Sequence, residues 1–224
     1  MHIEPGVVDG AKLAFAAVTA AGAAGYTAKL AAEDAARSNL VSLAARTLMA
    51  AVGTFVFFEV LPHFPVGVSE VHFILGSTLF LLLGTAPAAM GLALGLLVQG
   101  LFFAPSDLPM YFVNVTTLLV PLFATAALAR RVVPADTAYV DLRYADVLKL
   151  SGVFQAGVVA WVAFWVFYGQ GVSAETFGAV LTFGGAYMLV LLIEPLADLA
   201  ALAAAKSLRD TGLGRLFAPR LYTA

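Results

Sequence analysis

The sequence predicts an all-α integral membrane protein of about seven transmembrane helices, with the N-terminus outside and the C-terminus cytoplasmic. Three observations carry this expectation. The 224 residues are 62% hydrophobic and only 12% charged, against about 25% charged in a soluble domain, so the surface is built for lipid. Apolar runs of spanning length recur along the whole chain. The basic residues segregate to alternate connections. Cys is absent, which removes disulfides, thiolate metal sites and redox-thiol chemistry together. No basic run suits nucleic acid. There is no GxxxxGK[ST] sequence and no soluble stretch the size of an ATPase domain, so energy from ATP must come from another chain.

A single transmembrane domain over 1–224 is expected, with a segment 1–10 ahead of spans near 11–30, 43–61, 71–83, 87–104, 113–129, 153–168 and 177–203. The first span carries Ala17, Ala21 and Gly25, with Ala16, Ala20, Ala24 and Ala28 beside them; this small-residue spacing permits close helix contact. A cleaved leader is the competing reading of this run. Against it, the run is long enough to span, and Lys29, Arg37 and Arg46 follow as a stop-transfer flank. The second span places Glu59 one turn inside its outer end, where an ionisable group needs a partner; Lys12 is the obvious one. Residues 71–104 form a 34-residue run without Asp, Glu, Lys or Arg. As one helix it would be about 50 Å long, beyond a bilayer core of about 30 Å. Gly84-Thr85-Ala86-Pro87 signals a break, so the run reads as a hairpin of two spans, the first of them short. The connections 31–42 and 132–152 are the longest, and the second carries Asp136, Asp141, Arg143, Asp146 and Lys149, which reads as an interfacial helix or docking surface. In the last span Pro195 should kink the helix, and Glu194 and Asp198 read as interfacial, near its cytoplasmic end.

With seven spans, one side receives Lys29, Arg37, Arg46, Arg130, Arg131, Arg143, Lys149, Lys206, Arg209, Arg215 and Arg220, which is every base of the twelve except Lys12. The positive-inside rule makes that side cytoplasmic. The other side then holds His2, Glu4, Asp9, Glu59, His63, Glu70, His72, Asp107 and Glu175, including all three histidines. Six carboxylates against one amine attract cations.

Met1-His2 has chelating chemistry of its own. Methionine removal requires a small second residue, so His2 is expected to leave Met1 in place. The free α-amine, the His2 amide nitrogen and its imidazole then close fused five- and six-membered rings on one cation. Such a set prefers a planar nitrogen field, which suits Ni(II) or Cu(II), and His72 or His63 could supply the fourth ligand.

The start Met-His-Ile with Glu4, Pro5 and Gly6, the loop Phe64-Pro65-Val66-Gly67-Val68-Ser69-Glu70-Val71-His72, and the run from Gly84 through Leu97-Val98-Gln99-Gly100-Leu101-Phe102-Phe103 to Asn114 together resemble the CbiM/NikM family. These are substrate-binding (S) components of energy-coupling factor ABC importers for cobalt and nickel. The resemblance implies a metal held by the Met1 amine, the His2 amide and imidazole, and His72. It also implies a tucked-in N-terminal segment and a role for Asn114 in orienting the ligands. The implied partners are a T-component transmembrane protein, cytoplasmic ATPases and a small accessory membrane subunit, with Ala17, Ala21 and Gly25 as a T-component docking face. The implied location is a bacterial or archaeal inner membrane.

Three departures stand out: Glu4 precedes Pro5, Glu70-Val71 replaces the glycine before the loop histidine, and His63 is additional. The extra carboxylates favour Co(II) or Zn(II) over planar Ni(II), so the cargo reads as Co2+ or Ni2+ with Zn2+ and Cu2+ still open. Glu70 is the carboxylate best placed to touch the metal, with a solvated loop acid as the competing reading. His63, beside Pro62 and aromatics, reads as an interface or gating residue. Glu59 reads as a supporting residue paired with Lys12, and Glu4 as a possible ligand or part of the funnel. The rival functions are a solo permease working without ATPases and, well below it, an intramembrane metalloenzyme, for which HExxH is absent.

Overall fold

The computed structural model describes residues 2–223. Six of its helices are long and apolar enough to cross a bilayer. These are α1 (Lys12–Arg37), α2 (Leu40–Phe55) with its continuation Val56–Val60, α4 (Thr85–Phe102), α5 (Tyr111–Val132) with the 3-10 turn Pro105–Met110 ahead of it, α6 (Tyr144–Gln170), and the pair α7 (Ala174–Met188) and α8 (Glu194–Ser207). A short α3 (Gly76–Leu83) lies inside the bundle, and α9 (Pro219–Tyr222) closes the chain.

The segment expected as a short span at 71–83 is only half helical. Phe64–Val66 (β1) and Ser69–Val71 (β2) form an antiparallel hairpin, residues 72–75 run on without regular structure, and α3 begins after Leu75 at φ +53°. Hydrophobic periodicity cannot distinguish these because the run is apolar throughout. Non-helical backbone at membrane depth is tolerated only where protein encloses it. Here His72, Ile74 and the first turn of α3 are buried, and α3 packs on α2, α4, α5, α6 and α8. The break into α4 falls at Gly84 (φ +92°), and Pro87 is accommodated in the first turn of α4, where its missing N–H has no intrahelical partner to lose.

Helices α2 and α4 make the most extensive helix–helix contact in the bundle. Gly91 and Gly95 let the backbones approach, since an added Cβ would lie 2.2 Å from Ala50 Cβ at the first and 2.6 Å from Thr54 Cβ at the second. This is small-residue helix packing of the membrane kind.

Two expected connections are different in detail. Helix α1 continues to Arg37 and turns at Ser38-Asn39, where the Asn39 side chain accepts from the Ser42 N–H and caps α2. The charged stretch 136–149 is not a separate interfacial helix: it is a 3-10 turn (Tyr139–Asp141) followed by the first turns of α6, where Arg143 and Lys149 flank Asp146.

Arg46 is not an exposed flank charge. It is 1% exposed and binds Asp34, Ser38 Oγ (2.9 Å) and the Leu83 carbonyl (2.9 Å), which ties α1, α2 and the end of α3 together. Lys29, Arg37, Arg46, Arg130 and Arg220 line one cavity of about 620 Å³ around Gly84. Lys12 opens α1 at the other end, 25 residues before Arg37, or about 38 Å at 1.5 Å per residue.

The last long segment breaks as Pro195 suggests, through a 3-10 turn at Leu189–Leu192. Glu194 and Asp198, however, are fully buried and hydrogen-bonded to α3 and α6. The interfacial reading of these two acids is therefore wrong. An outward-facing position would strand them in lipid, whereas the broken helix turns them onto hydroxyl groups inside the bundle.

Candidate metal centre

Gly67, at φ +63°, closes the two-residue turn between Val66 and Ser69, a conformation that glycine adopts without strain. On β2 the side chains alternate. Ser69 turns its hydroxyl to the His2 carbonyl (3.0 Å), while Glu70 presents its carboxylate to the histidines. The chain start joins this hairpin through an isolated antiparallel bridge. Ile3 bridges Ser69, the Glu70 N–H donates to the His2 carbonyl (3.1 Å), and the Glu4 N–H donates to the Val68 carbonyl (3.2 Å). From the opposite side, Asn114 Oδ1 accepts the Ile3 N–H at 2.9 Å, with both residues buried. Gly169 on α6 lets the segment lie flat, because a Cβ there would stand 1.9 Å from the Val7 carbonyl oxygen.

This lattice holds His2, Glu70 and His72 so that one ligand atom from each lies within 4.8 Å of the others. Glu70 Oε2 is 2.8 Å from His2 Nδ1 and 2.9 Å from His72 Nε2. Asp107 Oδ2 stands 3.4 Å from His2 Nδ1. The other ring nitrogens, His2 Nε2 and His72 Nδ1, are buried without a hydrogen-bond partner among the described residues. Phe58 is fully buried against both imidazoles, with ring centroids 5.4 Å from His2 and 4.8 Å from His72. It is held by the π-helical turn Val56–Val60, a distortion common at functional sites.

Burial holds both imidazoles below the ordinary histidine value, against the opposing pull of Glu70. The hydrogen bonds from His2 and then His72 hold the Glu70 carboxyl well below the usual carboxylate range. At neutral pH this leaves two neutral imidazoles and one carboxylate, and an ion held between them would replace the two N–H···O bonds, each imidazole carrying its proton on its other ring nitrogen. First-row ions take such nitrogen and oxygen donors at about 2.0–2.2 Å, so trans donors stand at most about 4.4 Å apart. The cluster would close on an ion with little movement.

The other expected site residues divide clearly. His63 is exposed, and its ring stacks on His72 (centroids 4.7 Å, 13° between planes), so it covers that imidazole without entering the cluster. Glu4 is exposed, with only its backbone engaged. Glu59 does not pair with Lys12. It accepts from Gln99 Nε2 at 3.4 Å, while Lys12 Nζ donates to the Gly169 carbonyl. The end of α6 reaches Lys12 first and satisfies it there. Ala17 is half-buried, and Ala21 and Gly25 face outward; α1 packs inward through Ala16, Ala20, Ala23 and Thr27. Met1 lies outside the described residues.

Sequence reasoning placed Asp107 on the outer side but gave it no role beside His2, and it overlooked Phe58. A signal for Asp107 was available, since Asp107, Tyr111 and Asn114 recur at helical spacing. All three line a small cavity with His2 and Gln99.

Fold and site together define a multi-pass membrane protein that carries a buried histidine–carboxylate cluster at the end of its bundle away from most of its bases. The family described as cobalt uptake substrate-specific transmembrane region (CbiM) matches residues 2–211, and the chain belongs to that family. It is therefore a member of a metal-uptake transport family. A solved structure, the crystal structure of a truncated transition metal transporter, superposes with a TM-score of 0.66 at 16% identity, covering 93% of this chain and 97% of that one; this likeness shows the fold. No curated protein matches the sequence.

Proposed function

We propose that the protein is the substrate-binding component of an energy-coupling factor ABC importer that captures Co2+ or Ni2+ on the outer face of an inner membrane and delivers it inward. The carrying observation is the His2–Glu70–His72 cluster, built by a chain start that is stitched into the loop hairpin. His2, Glu70 and His72 are the ligands, with the Met1 amine and the His2 amide completing the nitrogen set. Asn114 and Asp107 position His2, and His63 caps the site. In this reading α3 counts as a seventh crossing, the end lined by Lys29, Arg37 and Arg130 is cytoplasmic, and Ala17, Ala21 and Gly25 receive the T component. The cargo sheds water for imidazole and carboxylate donors. Release requires His2 and His72 to part, which lifting the segment 2–8 off the hairpin accomplishes.

The experiment is metal content and affinity of the purified chain, by itself and with residues added before Met1, together with His2→Ala, His72→Ala and His63→Ala. Loss of high-affinity binding is expected for the first two substitutions and for the extended start, and retention for His63→Ala. Wild-type affinity in His2→Ala or His72→Ala would sink the site. Uptake in cells lacking a T component and ATPases would favour a solo permease instead.

A further inference from the structure

Where α3 and α8 both begin inside the bundle, two acids from α8 meet hydroxyl groups from two other helices. Glu194 and Asp198 are each 0% exposed. Glu194 Oε2 accepts from Ser151 Oγ (2.7 Å) and from Gln155 Nε2, both on α6. Asp198 Oδ1 accepts from Thr78 Oγ1 on α3. Ser77 Oγ lies between the acids, 3.1 Å from Glu194 Oε1 and 2.8 Å from Asp198 Oδ2.

The charge and proton count do not balance with both acids ionised. Neither carboxyl forms an ion pair among the described residues, although buried charges in a membrane interior require compensation. The titratable and charged groups on the elements packed around them are few. Helix α7 carries Glu175 in its first turn and Tyr187 near its end, the Tyr139–Asp141 turn packed on α8 adds Tyr139 and Asp141, and α3 offers none. Asp146 and Lys149 on α6 are engaged with each other and with Arg143, and Lys206 on α8 is engaged with Asp141. Ser77 has one hydroxyl proton for two facing carboxyl oxygens. A proton on either acid resolves this, because that acid then donates to a Ser77 lone pair while the Ser77 hydroxyl donates to the other.

A further polar atom points the same way. Gln155 Oε1 is fully buried and has no hydrogen-bond partner among the described residues. The Gln155 amide nitrogen is already anchored on Glu194, so its oxygen is an unfilled acceptor beside an acid that lacks a cation.

We propose that Glu194 and Asp198, bridged by Ser77, form a second cation site inside the bundle, separate from the histidine cluster, whose ligand is a proton. The site is proton-sized as it stands. Hard metal ions need several oxygens at about 2.0–2.6 Å, and Ser77 occupies the space between the two carboxyls at hydrogen-bonding distance. The segment that ends in Ser77 also carries His72 five residues earlier, so motion of that segment changes the surroundings of both sites. The proposal does not depend on which metal the histidine cluster binds.

Infrared spectra of the purified full chain in H2O and D2O at neutral pH test it. A protonated-carboxyl carbonyl band that shifts in D2O is expected for the wild type and is expected to be lost in E194Q/D198N, with metal affinity at the histidine cluster retained as the check on folding. Ser77→Ala should shift the band, which gives a reading even if the double variant fails to fold. Absence of the band from the wild type overturns the proposal, as does its survival in the double variant. Its loss from the wild type on adding Na+ or Co2+ would identify a metal cation as the occupant and overturn the proton assignment.

Discussion

Gly169→Ala separates the seating of the chain start from every other feature of the site. In an isolated helix this change stabilises by roughly 0.5–1 kcal/mol, so any loss must come from the close approach. The added Cβ would stand 1.9 Å from the Val7 carbonyl oxygen and 2.9 Å from the Val7 carbonyl carbon. Ordinary C···O contacts are about 3.3 Å, so the segment 2–8 must retreat by more than about 1 Å. That segment carries His2, whose Nδ1 shares Glu70 Oε2 with His72. Metal sites tolerate ligand displacements of about 0.2 Å, and a misplacement of about 1 Å at a positioned group costs on the order of 100-fold. Metal affinity of Gly169→Ala, measured by calorimetry on detergent-purified protein, should therefore fall about 10- to 100-fold. Gly178→Ala, where a Cβ meets nothing within 4 Å, is the control and should bind as the wild type. Wild-type affinity in Gly169→Ala would refute the claim that the seated segment positions His2.

Asn114→Ala leaves the buried Ile3 N–H without its 2.9 Å acceptor, a cost of about 1–3 kcal/mol; amide exchange at Ile3 should accelerate accordingly, and unchanged protection would remove Asn114 from the seating of the segment. Arg46→Ala strands Asp34 and frees the Leu83 carbonyl; a broken buried pair costs about 3–5 kcal/mol, so the thermal midpoint should drop clearly, and an unchanged midpoint would show the tie to be dispensable. The metal-free protein should lose stability as pH falls below the ordinary histidine value of 6.5. The His2 and His72 values are depressed in the fold, so the unfolded chain takes up protons first and the equilibrium shifts toward it. Equal thermal midpoints at pH 5 and pH 7.5 would contradict that sign.

Much of the site could be read from the sequence because its chemistry rests on rare residues. With three histidines in the chain and a segregated set of bases, His2 and His72 stood out before any geometry. The small residues of α1 were equally visible, but spacing alone could not say which stripe faces the bundle; the structure packs Ala16, Ala20, Ala23 and Thr27 inward. Composition also could not show that Glu70 would lie between the two imidazoles. Glu70 lies on β2 and His72 one residue past its end, and the apolar run that follows does not announce that irregular backbone separates the hairpin from α3. The Lys12–Glu59 pairing failed for a similar reason, since proximity to one end of the bundle leaves the choice of partner to whichever backbone group arrives first.

What the sequence determined by itself is the solvent and the chemistry. Its lack of charge calls for lipid, its bases sort to alternate connections, and its few imidazoles and carboxylates are the candidate donors. What only the tertiary structure decided is which of those donors meet and which acids are hidden. His2 and Glu70 are 68 positions apart, and Ser77 and Asp198 are 121 apart. Contacts at such separations depend on helix breaks at Gly84 and Ile193 and on a glycine that lets the chain start lie flat. Those features are set by the packing of several elements at once, which no local pattern encodes.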